Sequence, residues 1–224
     1  FETPEDLADE IRKTRTLTDK PFGVNLSMVP EFGMPERTLK FCEVVVAEGV
    51  PVVETAGRSP KPLMPTLKEG GVKVIHKLTS VRHAISAQKL GVDAVTLIGY
   101  GSGGHIGNEN VASFVLLPKA VEALDIPVIS GGAVCNARGF LAALAMGVEG
   151  VLMGTAFMMS EECPIHANIK SRLLETGEAD TTLLLTTIQN PVRCIKNKLA
   201  DECLLIEEEG GSFEEIINAV AGGK

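Results

Sequence analysis

The stretch richest in chemical possibility runs from Asp93 to Gly107, DAVTLIGYGSGGHIG. The apolar run Ala94 to Ile98 ends in a loop with glycines at 99, 101, 103, 104 and 107, and one histidine, His105, stands inside it. A short apolar run of this kind reads as a buried strand. Glycines after a strand let the backbone approach a flat or phosphorylated ligand, because no Cβ stands in the way. An imidazole delivered by such a loop can accept a proton, or hydrogen-bond an anion, near neutral pH. The bland alternative is a histidine on a surface loop, and spacing alone weighs the two equally.

Composition removes several classes of function. The 224 residues are 45% hydrophobic and 22% charged, which suits a globular chain of one large domain or two small ones. A formal net charge of -8 argues against nucleic acid, which calls for basic patches. Tryptophan is absent and there is one tyrosine, so a platform for stacking bases is not expected. The apolar runs fall well short of the roughly 20 residues that cross a bilayer, and Phe1 to Lys20 is charged and amphipathic rather than a signal peptide. Five scattered cysteines without a CxxC pair point to reduced thiols in a cytoplasm, with neither a disulfide framework nor a zinc site.

The elements around the glycine loop alternate. Helices are expected over Thr3–Leu17, Pro35–Glu48, Lys61–Gly70, Ser80–Leu90, Val111–Leu124 and Arg138–Met146. Strands are expected over Phe22–Leu26, Pro51–Gly57, Val72–Leu78, Ala94–Ile98, Pro127–Ser130 and Glu149–Met153. Thr3 and Ser80 are candidate N-caps, and Gly91 and Gly147 are stop signals. Beyond Cys163 the pattern changes: a helix over Ile165–Leu174, a β-branched and leucine-rich run over Thr181–Thr187, then a charged irregular stretch with a last helix near Phe213–Val220. Six strands alternating with helices is the rhythm of a parallel sheet. It fits either an open doubly wound sheet or a (β/α)8 barrel, which takes about 250 residues. GYGSGG at 99–104 matches G-x-G-x-x-G, but no acidic residue ends the following strand, so a dinucleotide fold is discounted. A barrel places a phosphate site in the loops after its last two strands. Here those strands end in Ser130-Gly131-Gly132 and Gly154-Thr155, which fits the barrel if two βα units are missing at the N-terminus.

A series of motifs then becomes specific. PFGVNL (21–26), VVETAG (52–57), KVIHKLTSVRHA (73–84), GVDAV (91–95), GGHIG (103–107), SGG (130–132), MGT (153–155), PIHANIK (164–170) and GGSFEEI (210–216) follow in this order. The set resembles the nitronate monooxygenase (2-nitropropane dioxygenase-like) family over nearly the whole chain. It is especially similar to the bacterial NADH:quinone reductase branch, with flavin-type enoyl-ACP reductases as more distant relatives. The resemblance implies an FMN-binding TIM barrel of which six of eight strands are visible. Residues 1–162 would form the barrel and 163–224 a helical and irregular segment packing on it. The first two strands, with the glycine- and methionine-bearing loop that would touch the flavin ring, are expected to be absent, and the C-terminal segment to be short.

The resemblance assigns roles residue by residue. His105 would lie by the flavin ring and substrate as the catalytic side chain, with Gly104 beside the cofactor and Ser102 and Gly103 bordering the ring. Asn25, at a strand end, would meet the pyrimidine edge, where a carboxamide both donates and accepts. Lys77, at the end of VKVIHK, would hold the negative charge that gathers on a reduced flavin. Gly131, Gly132, Gly154 and Thr155 would cradle the phosphate with backbone N–H groups and a helix start. The family's glycine pair falls on Gly132 and Ala133, so a requirement for φ > 0 at the second position would strain Ala133. Glu54 closes VVETAG as a lone carboxylate, weighed as catalytic against a structural role. His76 is read as packing between sheet and helices, His83 as a mid-helix surface residue, His166 as a cap or packing residue, and Glu207 to Glu209 as a solvated acidic run.

The implied activity is oxidation of alkyl nitronates to a carbonyl compound and nitrite. The same flavin site would alternatively serve an NAD(P)H-dependent quinone or enoyl-thioester reductase. A truncated barrel without cofactor is the third expectation. The partner is a small-molecule substrate, nitronate or quinone, with NAD(P)H as a possible co-substrate and a homodimer as a possible assembly.

Overall fold

The computed structural model describes residues 1–28 and 36–220. Pro35, expected to begin a helix, lies outside the described residues. Helix α1 (Pro4–Leu17) starts on a reciprocal cap. The Thr3 hydroxyl accepts from the Asp6 N–H at 3.1 Å, and the Asp6 carboxylate accepts from the Thr3 N–H at 2.9 Å, satisfying two backbone donors that a helix start leaves open. Its apolar side buries Leu7, Ala8 and Ile11. Strand β1 (Gly23–Met28), helix α2 (Glu36–Ala47), strand β2 (Val52–Gly57), the short helix α3 (Met64–Glu69) and strand β3 (Lys73–Leu78) follow. Helix α4 (Val81–Leu90) is capped by Ser80 and stopped by Gly91 at φ +93, a left-handed conformation that glycine adopts without penalty.

Strand β4 (Ala94–Ile98), the two-residue strand β5 (Gly104–His105), helix α5 (Ser113–Ala123), strand β6 (Val128–Gly131), helix α6 (Ala137–Ala145), strand β7 (Gly150–Leu152) and helix α7 (Thr155–Met158) continue the chain. It closes with α8 (Ala167–Leu174), β8 (Thr181–Leu184), β9 (Val192–Ile195), α9 (Lys198–Glu208) and α10 (Phe213–Val220). Six strands form one sheet in the order β1-β2-β3-β4-β6-β7. Sequence order equals spatial order, as expected of consecutive right-handed βα units. The second sheet, β5-β9-β8, is antiparallel. The irregular stretch expected after Thr187 therefore holds a strand and an 11-residue helix.

Contacts divide the chain into two units. The first comprises residues 1–97 and 119–129, the second residues 98–118 and those from 130 onward. In the first unit the parallel register sets Asn25 beside Glu54, Thr55 beside His76, and Ala56 beside Lys77, which in turn stands beside Thr96. Side chains alternate across a strand. One face therefore carries Asn25, Glu54, Lys77 and Thr96, and the other buries Leu26, Val53, Thr55, Val74, His76, Val95 and Leu97. Helices α2, α3 and α4 pack on these strands. In the second unit Leu184, Leu185, Ala200, Cys203 and Ile216 form a core beneath β8, α9 and α10. Among the described residues no helix is long and apolar enough to cross a membrane.

Candidate active site

In the first unit, Glu54 is the hub of a polar cluster. Its Oε2 accepts from Asn25 Nδ2 at 2.7 Å and from Lys77 Nζ at 3.4 Å, while Oε1 accepts from the Thr96 hydroxyl at 3.2 Å. The Glu54 and Lys77 side chains are 18% and 27% exposed, so the pair is partly screened rather than solvated. The structure thus gathers two sequence-assigned residues, Asn25 and Lys77, on Glu54 and adds Thr96. Alternation on β4 held the signal for Thr96, since a lone hydroxyl stands among AVTLI.

On the reverse face, His76 is buried with Nδ1 2.8 Å from the Thr55 hydroxyl and 3.1 Å from the Thr55 carbonyl oxygen. Burial is the main cause that holds its imidazole below the ordinary value of 6.5, against the opposing hydrogen bond to Thr55 and the charge of Glu54. It packs as the strand pattern implies. His83 belongs to the first turn of α4 rather than its middle, with Nδ1 3.0 Å from the Ser80 hydroxyl. His166 caps α8, its Nδ1 accepting from the Asn168 N–H at 3.1 Å.

In the second unit, the loop from Gly99 to Gly107 brings Ser102 onto the end of β6. The Ser102 hydroxyl donates to the Gly131 carbonyl at 3.1 Å, and the side chain is 1% exposed. Gly132, at φ +78, cannot carry a Cβ, which would fall 1.8 Å from Ser102 Oγ and 2.8 Å from its Cα. Ala133 follows at φ +59. The left-handed geometry suspected there is present, and it strains a residue with a Cβ. The Gly132 N–H reaches the Leu152 carbonyl at 3.4 Å, tying this turn to β7, which runs on to Gly154 and Thr155. Gly154 is exposed, a Cβ there would meet nothing within 4 Å, and no side chain caps the turn. The Gly132 N–H is thus bonded within the sheet, and of this pair of glycines Gly154 is the one whose backbone a ligand can approach closely.

His105 is exposed on β5. Its Nδ1 lies 3.0 Å from Asn190 Oδ1, and Gly104 and His105 pair antiparallel with Arg193 and Val192. Arg193 stacks over Tyr100 at 4.8 Å from the ring centroid and donates to the Tyr100 carbonyl. Residues beyond Asp180, which carried no evident mechanistic signal in the sequence, therefore hold the histidine loop. Asn190 and Arg193 were missed because their partners lie 85 and 93 positions away. Glu207 is a correction. Expected in a solvated acidic run, it is 6% exposed. Its carboxylate accepts from the N–H groups of Leu185, Thr186 and Thr187 and from both threonine hydroxyls, at 2.5 to 3.3 Å. Three converging backbone donors make a site for a buried anion.

A family model described as nitronate monooxygenase matches residues 1–212. A Rhodococcus jostii protein named (3aS,4S,5R,7aS)-5-hydroxy-7a-methyl-1-oxo-octahydro-1H-indene-4-carboxyl-CoA dehydrogenase is 35% identical over 214 residues, which cover 96% of this chain and 58% of that relative. A probable nitronate monooxygenase of Staphylococcus saprophyticus is 30% identical over 232 residues, covering 86% of this chain and 65% of that protein. The chain thus spans little more than half the length of the first of these curated relatives. Among solved structures, FabK from Thermotoga maritima is 35% identical, with a TM-score of 0.87 over 98% of this chain and 67% of that one. Nitroalkane oxidase from Streptomyces ansochromogenes, 23% identical, shares the fold with a TM-score of 0.78 over 98% of this chain and 73% of that one. The α/β barrel class read from the motifs is borne out, with six parallel strands in the described residues.

Proposed function

The chain belongs to the nitronate monooxygenase family, and from that premise we propose that the protein is an FMN-dependent oxidoreductase that converts alkyl nitronates to a carbonyl compound and nitrite. The observation that supports this most is the placement of His105: an exposed imidazole on a glycine loop, tied through Nδ1 to Asn190 and carried by the segment whose Ser102 packs on the Gly131–Gly132 turn. Bound FMN would supply the electron-transfer chemistry that no side chain provides.

The chain's own residues take the remaining work. Gly154 and Thr155 of the second unit would hold the phosphate by backbone N–H groups beside the Gly131–Gly132 turn, whose Gly132 N–H is already bonded to the Leu152 carbonyl, and Gly104 would let the ring approach. In the first unit, the Lys77 ammonium and the Asn25 carboxamide would meet the polar edge of the flavin, with Glu54 fixing the direction of both. His105 would turn Nε2 toward the nitronate and would handle a proton at that nitrogen as charge leaves the substrate.

A second reading has its own support. Identity is 35% to a relative named as a carboxyl-CoA dehydrogenase against 30% to one named as a probable nitronate monooxygenase. The same residues would then serve a thioester substrate, with NAD(P)H or a quinone exchanging electrons with the flavin. Anaerobic stopped-flow mixing of the FMN-loaded protein with a nitronate, with NADH and with an acyl-CoA separates these. Bleaching by the nitronate is the expected result, and bleaching by NADH or acyl-CoA alone would replace the first reading with the second. A protein that stays colourless after FMN is added would overturn both.

A further inference from the structure

The second unit holds a chain of contacts that ends on His105. Its start is Glu207, the buried carboxylate of α9, which gathers the N–H groups of residues 185–187 and the hydroxyls of Thr186 and Thr187. These residues open a tight loop. Leu185 stands at φ +61 and Gln189 at φ +56, left-handed conformations that side-chain-bearing residues hold only when the surroundings over-determine them. The Asn190 N–H closes the loop on the Leu185 carbonyl at 3.0 Å.

From there the chain runs beside the histidine. The Gln189 carbonyl accepts from Asn108 Nδ2 at 2.8 Å, and the Pro191 carbonyl accepts from the Ile106 N–H at 3.2 Å. Between these two staples, Asn190 Oδ1 lies 3.0 Å from His105 Nδ1. A carboxamide oxygen accepts and never donates. The imidazole nitrogen facing it must therefore carry the proton, and the lone pair falls on Nε2.

We propose that Asn190 and Glu207 are positioning residues for His105: Glu207 fixes the 185–190 loop, and Asn190 holds the Nδ1–H tautomer so that Nε2 is the nitrogen that takes and returns a proton. The contact serves both charge states, because the imidazolium also donates from Nδ1. The ring then has no need to turn during proton transfer, and geometry of this kind is worth much of a catalytic step. This inference rests on the role proposed for His105, but its test does not depend on turnover.

Histidine-labelled full-chain protein, read by long-range nitrogen–proton NMR with His105→Gln for assignment, reports which ring nitrogen is protonated. The wild type should show Nδ1–H at His105, and Asn190→Ala should move that signal toward the Nε2–H form that free imidazole side chains favour. Asn190→Asp should restore Nδ1–H, since a carboxylate oxygen accepts the same proton. Glu207→Gln should shift His105 the way Asn190→Ala does, while the signals of His76, His83 and His166 stay in place. Should that variant not fold, the Thr186→Val/Thr187→Val pair removes only the hydroxyl contacts and should give a smaller shift in the same direction. In turnover, Asn190→Ala should lower kcat about tenfold with little change in KM. An Nε2–H tautomer in the wild type, or a tautomer indifferent to Asn190→Ala, overturns the proposal. Inactivity toward every donor with the Nδ1–H tautomer intact would instead sink the functional reading alone.

Discussion

The two units hold their polar groups by opposite means. In the first, Asn25, Glu54, Lys77 and Thr96 stand at neighbouring positions of four parallel strands. Hydrogen-bond register fixes them, and a one-residue slip would turn each to the other face. In the second, His105 stands on a two-residue strand. What fixes it is a segment more than eighty positions later, itself anchored by Glu207. A register-held group loosens only when the sheet opens, whereas a loop-held group can be loosened with the core intact. The first arrangement suits static binding. The second suits a group that must be aimed.

The largest effect that would sharpen this contrast is on turnover. His105→Ala should leave flavin bound and lower turnover by two orders of magnitude or more, about 3 kcal/mol of barrier; steady-state rates with the flavin spectrum check it. Unchanged turnover removes His105 from the mechanism. Comparable in size, but on stability, is Gly132→Ala. A left-handed φ and a Cβ 2.8 Å from the Ser102 Cα should cost about 3 kcal/mol, read as a fall in the urea midpoint. Gly154→Ala is its control, because a Cβ there meets open space and stability should move by less than about 0.5 kcal/mol. Weaker FMN binding in Gly154→Ala, titrated by flavin fluorescence, would then report the phosphate contact free of any folding defect.

In the first unit, Glu54→Gln keeps shape and removes charge. It should weaken flavin binding severalfold, about 1 kcal/mol, and leave the turnover of the bound form nearly unchanged. A loss of turnover with normal binding would make Glu54 a reacting group and erase the distinction between the units. Smaller again is Ala133→Gly. Relief of the φ +59 conformation is partly cancelled by the freedom glycine gains in the unfolded chain, so a net gain of about 0.5–1 kcal/mol is expected in chemical denaturation. A loss would mean that the Ala133 methyl packs more than it strains.

What the sequence made legible follows the same division. The caps at Thr3 and Ser80, the stop at Gly91 and the alternation of β3 depend on neighbours a few residues away, so local pattern sufficed to place Lys77 and His76 on opposite faces, whereas the face Asn25 shares with Lys77 is set by the register between strands. Ala133 was legible as a departure from a glycine pair. Asn190 and Glu207 were not, because neither is unusual for its own segment. Glu207 lies in a run of three glutamates, two of them solvated, and only loop 185–187 folding back on α9 distinguishes it. The same holds for β9 and α9, where charged residues masked a strand and a helix whose apolar positions face a small local core. Exposure of the remaining charges was visible in the sequence, but the direction of packing was not.

The smallest effect tests the first unit alone, through pH. Burial holds the His76 imidazole below 6.5, aided by the charge of His83 and opposed by the Thr55 hydrogen bond and Glu54. The folded value therefore lies below the unfolded one, and as pH falls the unfolded chain takes the proton first. The contribution is complete above about pH 6.5 and is lost as pH falls toward the folded value. Asp93 does not confuse this window. Burial pushes its carboxyl up, but Lys68, the Val74 N–H and Lys73 together hold it below 3.8, so its contribution is lost only at more acid pH. The urea midpoint of the wild type should thus fall between about pH 7.5 and pH 5.5, and His76→Gln, whose amide can still bond Thr55, should flatten that slope. A slope unchanged in His76→Gln would remove the buried His76 imidazole as the source of the acid sensitivity.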